Sequence, residues 1–247
     1  MAKQSGLGDQ LFVAGYDISG DIGAIDTIDH RSGVLDVTAI NASGHERIHS
    51  LVDGEITFKP FFNDAALQEH VALAAKGSGA DRVVSYFHGS TIGNAAAGLV
   101  AKQINYDWER SADGGLAGTV QCLANGKGLD FCEQLTAGKR TDTAATVGTA
   151  LDSGIVGGTA LGLAAYLQVF SFTGTSVTVV VEQSSDNAVG DPYAAILTFT
   201  AATGITAERK ITAALTTAVE RYLRVTTTGT FNPATFAVCA SRYPYAL

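Results

Sequence analysis

The sequence predicts a mainly β protein in two parts, with a single helix. Hydrophobic residues make up 46% of the 247-residue chain and charged residues only 16%. This composition, rich in Ala, Gly and Thr, suits β-structure with many turns and not a coiled coil or a disordered chain. Apolar side chains also recur at every second position, as at Val177, Val179 and Val181, which is the period of a strand. Short strands separated by turns are typical of a sandwich or a barrel.

The first half is predicted to hold several strands and the one convincing helix. The helix is expected over residues 64–76, where small and apolar residues share one side. Asn63 or Asp64 caps this helix and Gly77 ends it. The strands are predicted from the stretches QLFVAGYDISGDIG, VLDVTAI, EITFKPFF, DRVVSYFHG, GLVAKQINYDWER and, as a hairpin, GTVQCLANGKGLDF.

A change of composition divides the chain. Residues 138–158 are small, polar and without periodicity, as linkers are. We predict a first domain at 1–142, a linker at 143–154 and a second domain at 155–247. The second domain is expected to be an Ig-like or jelly-roll-like β-sandwich, because short strands follow one another closely. Its strands are predicted from AAYLQVFSFTG, SVTVVVEQSSD, YAAILTFTA, ERKITAALT, ERYLRVTTTG and ATFAVCAS.

The three cysteines, Cys122, Cys132 and Cys239, show no metal-binding spacing. We expect buried free thiols, because thiols stay reduced in a cytoplasm. If residues 126–128 form the loop of the predicted hairpin, Cys122 faces Cys132 across its two strands. A change of one residue in register places the two thiols on opposite faces instead.

The net charge of −8 is concentrated in the first half. Residues 1–142 hold 18 acidic and 11 basic side chains, whereas residues 143–247 hold 6 and 5. An acidic chain without a basic patch binds nucleic acid poorly, because its field repels phosphates. The chain also lacks an apolar run near the roughly 18 residues of a membrane span and an apolar N-terminal leader. We therefore expect a protein that is made in a cytoplasm and has no membrane partner.

One motif suggests zinc chemistry. His45, Glu46 and His49 spell H-E-x-x-H, which on a helix places two imidazoles and a general base on one face. Gly44 and Gly54 closely bracket the motif, and strand-forming residues lie on both sides. A strand–loop–strand is thus predicted, in which the two histidines lie roughly 13 Å apart. That separation is too large for a shared metal, and no third ligand follows at a metallopeptidase spacing.

No catalytic residue, cofactor site or metal site is predicted, and the chain is not expected to be an enzyme. The aromatic residues Tyr106, Trp108 and Tyr166 could form a sugar platform, although buried aromatic side chains are the commoner case.

Three stretches carry a family resemblance. LFVAGYDISGDIGAID opens the chain, LVDGEITFKPFFND precedes the predicted helix, and VERYLRVTTTGTFNPATFAVCASRY closes the chain. Together they resemble the major tail tube proteins of long-tailed, non-contractile bacteriophages, of siphophage type, particularly those of phages that infect actinobacteria. The resemblance extends over nearly the whole chain.

The resemblance implies a structural protein of the virion. Members of this family form hexameric rings that stack into the tail tube, through which the genome DNA is ejected. The implied fold is a tail-tube β-barrel or sandwich with one flanking helix, followed by a C-terminal β-sandwich on the outside. The implied partners are further copies of the chain, the tape measure protein, the tail terminator and passing DNA that is not specifically bound. Assembly would take place in the host cytoplasm.

The resemblance also implies site residues. The polar loop 41–53 is expected to bridge one ring to the next, and a solvated loop without contacts is the alternative. The expected inter-ring residues are Ser43, His45, Glu46, Arg47 and His49. Acidic side chains are expected to line the lumen and to keep DNA off its wall. The candidates are Asp17, Asp21, Asp26 and Glu55.

Two other functions remain open from the sequence. The chain could be a carbohydrate-binding β-sandwich protein, and its C-terminal domain could bind a host-surface glycan. A zinc-dependent hydrolase acting through His45, Glu46 and His49 is the other.

Overall fold

A computed structural model describes residues 5–75 and 79–244. These residues form the mainly β fold that the sequence predicts, with one short 3-10 helix (Ser19–Asp21) and one α-helix, α1 (Glu69–Ala74). The strands are β1 (Gln10–Val13), β2 (Tyr16–Asp17), β3 (Ile22–Asp36), β4 (Arg47–Pro60), β5 (Arg82–Phe87), β6 (Ala95–Gln103), β7 (Asp107–Arg110), β8 (Leu116–Ala124), β9 (Asp130–Gln134), β10 (Arg140–Asp142), β11 (Leu151–Asp152), β12 (Ala164–Ser184), β13 (Ala194–Thr198), β14 (Thr206–Ile211) and β15 (Tyr222–Ser241).

The first half packs two layers of strands around one hydrophobic cluster. In β4 the side chains alternate, so that Ile56 and Phe58 are fully buried while Thr57 between them is not. β3 and β8 flank β4, and β1, β5 and β6 supply the opposite layer through residues such as Leu11 and Leu99. Helix α1 closes this first cluster with Leu73. The layers therefore leave the other face of β3, β4 and β8 outside the core.

The helix is shorter than predicted. It spans Glu69–Ala74, whereas residues 64–76 were expected. Leu67 has a φ of 66°, a left-handed conformation that a right-handed α-helix cannot contain. The helix therefore begins only after this residue, at Glu69. Asn63 stabilises the turn that precedes the helix, because its side chain accepts a hydrogen bond from the Ala65 amide at 3.1 Å. The expected end at Gly77 lies outside the described residues. Within residues 5–75 and 79–244, no helix has the length and apolar character that crossing a membrane requires.

The predicted hairpin of β8 and β9 is wrong. β6 lies between these two strands and pairs with β9 near its start and with β8 near its end. Cys122 therefore belongs to the first cluster, while Cys132 lies in another cluster together with Cys239. All three thiols are free and buried, as predicted. Burial raises the pKa of Cys122 to about 12, which keeps this thiol protonated at neutral pH.

The second half is organised by two long strands. β12 and β15 pair from Ala164 with Ser241 to Ser184 with Tyr222. Val177, Val179 and Val181 are buried in a second cluster beside Leu223 and Val225 of β15. Among the described residues, the six predicted short strands are thus four. The turn expected between the stretches AAYLQVFSFTG and SVTVVVEQSSD is absent, because Gly174 lies in β12 beside several shifts of register and a strand can bend at a bulge without ending.

The segment 143–154, predicted to be a linker, is bonded to β15. Gly148 donates its amide hydrogen to the Val225 carbonyl at 2.9 Å, and β11 pairs with β15 at Leu151 and Leu223. Just before this segment, the Arg140 guanidinium donates to the same Val225 carbonyl at 2.8 Å. The sequence of this segment lacks a periodic pattern because its contacts with β15 are short and irregular. The segment is not a freely moving linker.

The two halves share a sheet and a core. β15 pairs with β9 at Cys239 and Gln134, which makes the sheet continuous across the predicted boundary. A third cluster lies under this junction and is built from both halves. Its buried members are Phe12, Val83, Phe87, Ala96, Cys132, Tyr166, Ala237 and Cys239.

Candidate assembly surfaces

A long two-stranded hairpin leaves the body of the protein. β3 and β4 pair from Ile22 with Pro60 to Asp36 with Arg47. The pairing of β4 with β8 ends at Glu55, so that among the described residues the outer part of β4 pairs with β3 alone. We call residues 31–53 the projecting hairpin. An isolated two-stranded hairpin is only marginally stable in water, so contact with another protein surface would stabilise the projecting hairpin.

The projecting hairpin exposes apolar side chains on both faces. Leu35 and Ile48 are directly paired and share one face, whereas the neighbouring pair of Val34 and His49 lies on the other. All three apolar residues are about half exposed, and Ile40 in the connecting loop is fully exposed. Apolar surface of this extent is typical of a protein–protein contact. A ribbon that is apolar on both sides can contact two surfaces at once.

The residues predicted for the inter-ring loop all lie on this hairpin, but the loop is shorter than predicted. Ser43, His45 and Glu46 are in the loop 37–46, whereas Arg47 and His49 are in β4. His45 Nδ1 lies 3.0 Å from Asp36 Oδ2, which joins the two ends of the loop.

The H-E-x-x-H residues do not share a helix, as predicted, because His45 is in the loop and His49 in the strand. Hydrogen bonds to the Asp36 carboxylate lower its pKa. The bond from the Thr38 hydroxyl contributes most, followed by the Thr38 amide and then His45. Among the residues that the structure describes, no three His, Cys, Asp or Glu side chains gather so that they could hold a metal ion.

The outer face of the β3–β4–β8 layer is polar. Glu55, Thr57 and Lys59 alternate along β4 with the buried Gly54, Ile56 and Phe58. Arg31 contacts three carboxylates on this face. Its guanidinium nitrogens lie 2.7 Å from Glu55, 3.3 Å from Asp53 and 3.5 Å from Asp29.

Glu55 is held further by neighbouring strands. It accepts hydrogen bonds from the Thr57 hydroxyl at 2.5 Å and from the Gln121 amide at 3.0 Å. The Thr57 bond is the largest cause of the lowered pKa of Glu55. Lys59 lies 3.2 Å from Asp26 at the inner end of the layer. We call Asp26, Asp29, Arg31, Asp53, Glu55 and Lys59 the charged face.

The structure brings together two of the four acids predicted for the lumen. Asp26 and Glu55 belong to the charged face. Asp17 is in β2, where it is ion-paired with Lys139. Asp21 is buried, and its carboxylate accepts hydrogen bonds from the Asn63 side chain at 2.8 Å and the Glu69 amide at 3.3 Å. Asp21 thus serves the start of helix α1.

Sequence reasoning missed Asp29 and Asp53 on the charged face. Their signal is present in the stretch DGEITFKP, where Asp53, Glu55, Thr57 and Lys59 alternate with the inward-facing residues. Reading this alternation requires the register of β3 against β4, which shifts at three places in β3.

A second exposed apolar surface lies at the other end of β4. Trp108 packs with Phe62 and with Tyr106, at 4.1 Å and 5.0 Å between ring centroids, and His70 lies against all three rings. Phe61 precedes Phe62 and is 57% exposed, but it lies in the row of Ala117 and Glu109, on the opposite side of the sheet from Trp108. We call Phe62, His70, Tyr106 and Trp108 the aromatic patch. Tyr166, considered with Tyr106 and Trp108 as a sugar platform, is instead buried in the third cluster.

A buried acid supports the aromatic patch from below. The Tyr106 hydroxyl is hydrogen-bonded to Glu69 and lies 3.0 Å from His70 Nδ1. The side chain of Glu69 is 1% exposed, and this burial raises its pKa. The pKa of Tyr106 is raised as well, mainly by burial and then by the bond to Glu69. These contacts fix the orientation of the tyrosine and histidine rings.

Comparisons with known proteins give distant structural similarities. No family model and no curated protein matches the chain. A chain from the virion of a native gene transfer agent particle matches with a TM-score of 0.42 and 16% identity, over 52% of this chain and 98% of that chain. A chain from the tail of an empty gene transfer agent particle, refined with C6 symmetry, matches with a TM-score of 0.41 and 17% identity, over 52% and 98%.

The Dit protein of phage SPP1, described as a hub of the adsorption apparatus, matches over more of the chain. Its TM-score is 0.35 and its identity 11%, over 94% of this chain and 98% of that chain. All three TM-scores lie below 0.5.

Proposed function

We propose that the chain is a structural, non-enzymatic protein of a bacteriophage tail, and specifically a tail tube subunit that forms stacked hexameric rings. The projecting hairpin carries this proposal. Its paired residues Leu35 and Ile48 and its loop residue Ile40 expose apolar surface far from the core. Such a ribbon is stabilised when it docks on another subunit. The sequence resemblance to tail tube proteins supplies the identity of that subunit, a further copy of this chain.

Open sheet edges support assembly into a ring. Among the described residues, β3 pairs only with β4, and β7 pairs only with β8. β3 is 15 residues long, and an unpaired edge of this length invites pairing with another chain. If β3 of one copy meets the β7 side of the next, each copy closes the edge of its neighbour. A ring formed by such head-to-tail contacts leaves neither of these two edges open.

The charged face fits the wall of a channel for DNA. It combines four carboxylates with two cations, a local balance of −2 per copy. DNA gains little from contact with such a wall, because too few phosphate counterions are released. We propose that Asp26 and Glu55, together with Asp29 and Asp53, face the lumen. Replacing Asp26 by Lys should slow DNA ejection from phage at low salt, and added salt should restore its rate.

The resemblance to tail tube proteins supports three further parts of the proposal. The chain contacts the tape measure protein and the tail terminator, assembles in the host cytoplasm and becomes part of the virion.

Electron microscopy of the purified protein tests the proposal. The unmodified protein should give rings and tubes in negative stain. Because the hairpin joins one ring to the next, Leu35→Asp should give single rings. Val189→Asp is the matched control, because Val189 is 93% exposed in a loop of the second half, and it should give normal tubes. Particles of single-chain size for the unmodified protein at every concentration would refute the tube function.

A further inference from the structure

We infer that Asn125 is a site of spontaneous covalent modification, at which the side-chain amide reacts with the backbone nitrogen of Gly126 and is converted to aspartate and isoaspartate. These two residues form the one Asn-Gly pair in the sequence. The pair follows β8, which ends at Ala124, and lies in the connection to β9. The reaction requires only water and does not depend on the proposed function.

The chemistry is an attack within the chain. The Gly126 nitrogen gives up its proton to hydroxide, bonds to Cγ of Asn125 and expels the side-chain nitrogen as ammonia. The product is a five-membered succinimide ring. Water then opens this ring at either of its two carbonyl carbons, which gives aspartate or isoaspartate. No oxidant or reductant takes part.

The Gly126 nitrogen is available for this attack. Within residues 5–75 and 79–244, the Gly126 amide donates no hydrogen bond, and the residue is exposed. Its φ of 71° lies in the left-handed region, which glycine adopts without strain. No atom lies within 4 Å of the position that a Cβ would take. The approach to this nitrogen is therefore open.

Two other exposed asparagines lack this feature. Asn41 precedes Ala42, whose amide donates a hydrogen bond to a backbone carbonyl at 2.9 Å. Asn187 precedes Ala188, whose amide donates a hydrogen bond to a carboxylate at 2.8 Å. In both pairs the backbone nitrogen is held by an acceptor and is crowded by the methyl group of its own residue. The contrast with Gly126 predicts reaction at one exposed asparagine and not at the other two.

The Asn125 side chain is held only at the surface. Its amide donates a hydrogen bond to Asp81 Oδ1 at 2.8 Å, and this bond is exposed. Water can replace the bond and release the side chain for the reaction. The Asn125 backbone amide also donates to the Val100 carbonyl at 2.9 Å, which fixes the residue at the end of its strand.

The products change a group of surface charges. Lys102 Nζ lies 2.8 Å from the Asp81 oxygen that accepts the bond from Asn125. Hydrogen bonds from Lys102 first and then from Asn125 lower the pKa of Asp81. After the reaction a second carboxylate stands in place of the amide donor. The two carboxylates then repel each other and compete for one lysine.

Isoaspartate also lengthens the backbone beside the projecting hairpin. His30 and Gly54 pair at the base of that hairpin. His30 Nδ1 lies 2.9 Å from the Leu129 oxygen, and a Cβ added at Gly54 would lie 2.6 Å from the Leu129 nitrogen. The connection from Asn125 to Leu129 is thus fixed at both ends. An additional backbone carbon within it alters the support of the hairpin base.

Peptide mapping of the unmodified protein tests this inference. During storage above neutral pH, the peptide that contains Asn125 should acquire the mass of a carboxylate in place of an amide. Protein isoaspartyl methyltransferase should label part of the product, which direct hydrolysis of the side chain would not yield. Hydroxylamine added during storage should trap the succinimide at the same residue. The rate should rise in proportion to the hydroxide concentration.

The peptides of Asn41 and Asn187 are internal controls and should keep their amides over the same period. Equal conversion at all three asparagines would overturn the inference, because the free nitrogen of Gly126 would then make no difference. An unchanged Asn125 peptide after prolonged alkaline storage would overturn it as well. Conversion to aspartate without any isoaspartate would exclude the ring and contradict the proposed attack.

Two variants identify the reacting atoms. Asn125→Gln keeps an amide but would require a six-membered ring, so its peptide should remain unmodified. Gly126→Ala places a methyl group beside the attacking nitrogen and should slow the reaction by about tenfold, which corresponds to about 1.4 kcal/mol of activation free energy. Thermal melting checks that both variants fold. Reaction of Gly126→Ala as fast as that of the unmodified protein would show that this nitrogen is not the nucleophile and would overturn the inference.

Discussion

The phenol of Tyr166 donates a hydrogen bond to the carboxylate of Asp130 over 2.5 Å, and this bond connects the two halves of the chain. Arg209 completes the group, since its guanidinium lies 3.0 Å from Asp130 and 3.0 Å from the Tyr166 oxygen. The side chains of Asp130 and Arg209 are 0% and 5% exposed. β9, β12 and β14 are therefore joined by a charge pair that water does not reach.

Breaking this pair should destabilise the whole protein. We expect Arg209→Leu to lower the free energy of unfolding by about 3–5 kcal/mol, because it removes the cation that offsets the buried Asp130 charge. Chemical denaturation measures the change. Arg221→Leu is the matched control, since its pair with Asp152 is exposed and contributes little. Equal effects of the two substitutions would contradict the expectation.

Separating the halves should expose the third cluster. The division predicted at 143–154 implies that each part folds alone, but a fragment of residues 1–142 lacks β12 and β15. Phe12 and Phe87 then lose the cover that Tyr166 provides in the complete chain. We expect this fragment to aggregate or to bind a hydrophobic dye, as measured by light scattering and fluorescence. A monomeric fragment with a cooperative thermal transition would show that the boundary is also a folding boundary.

Glu69 should give the stability a measurable pH dependence. Burial raises its pKa above the ordinary value of 4.5. The unfolded chain then loses this proton first, so the free energy of unfolding falls as pH rises from 4.5 through the raised pKa. The groups that face Glu69 are Asp21, His70 and Tyr106. Glu69→Gln keeps an acceptor for Tyr106 and should remove this part of the pH dependence.

Denaturation at several pH values measures the difference between Glu69→Gln and the unmodified protein. We expect the variant to gain relative stability between pH 4.5 and neutrality. Glu109→Gln, at an exposed position in β7, is the control for the loss of one carboxylate, and the effect of Glu69→Gln should exceed it. A pH-independent difference for Glu69→Gln would mean that the acid is not penalised by burial.

Gly174 should tolerate no side chain. It has a φ of 142°, and an added Cβ would lie 2.5 Å from both the Phe231 Cα and the Thr230 oxygen of β15. Because both neighbours are backbone atoms, we expect Gly174→Ala to cost about 1–3 kcal/mol of unfolding free energy. Gly204→Ala is the control, since no atom lies within 4 Å of its added Cβ. Comparable thermal stability of the two variants would refute the role of Gly174 as a bulge.

Local patterns predicted the strands better than their partners. The alternation at Val177, Val179 and Val181 correctly identifies side chains that are buried together. A turn was expected after Gly174, between two short strands, because a bulge and a turn require the same backbone freedom. The hairpin of β8 and β9 failed for a different reason: β6, more distant in sequence, pairs with both strands, and no local pattern encodes such an insertion.

Of the candidate surfaces too, the sequence predicts some and not others. The hairpin loop around His45 could be located, because turn residues separate two strand-forming stretches. The aromatic patch could not, since Phe62, His70 and Trp108 come from three separate elements. Asp21 was grouped with the lumen acids because it lies on or beside a predicted strand and is flanked by small residues, whereas in the structure it is buried and bonded to the Asn63 side chain.

Because β15 is synthesised after all the other described strands, its pairing determines when the chain can fold during translation. β15 joins β9, β10, β11 and β12, all of which leave the ribosome before it. Until Cys239 has emerged, a nascent chain cannot complete the third cluster, and the segment 143–154 has no partner until residues 221–227 have been made. Folding of the subunit is thus delayed until nearly all the described residues have been synthesised. Chains cut short by premature termination would lack the strand that joins the two halves of the sheet.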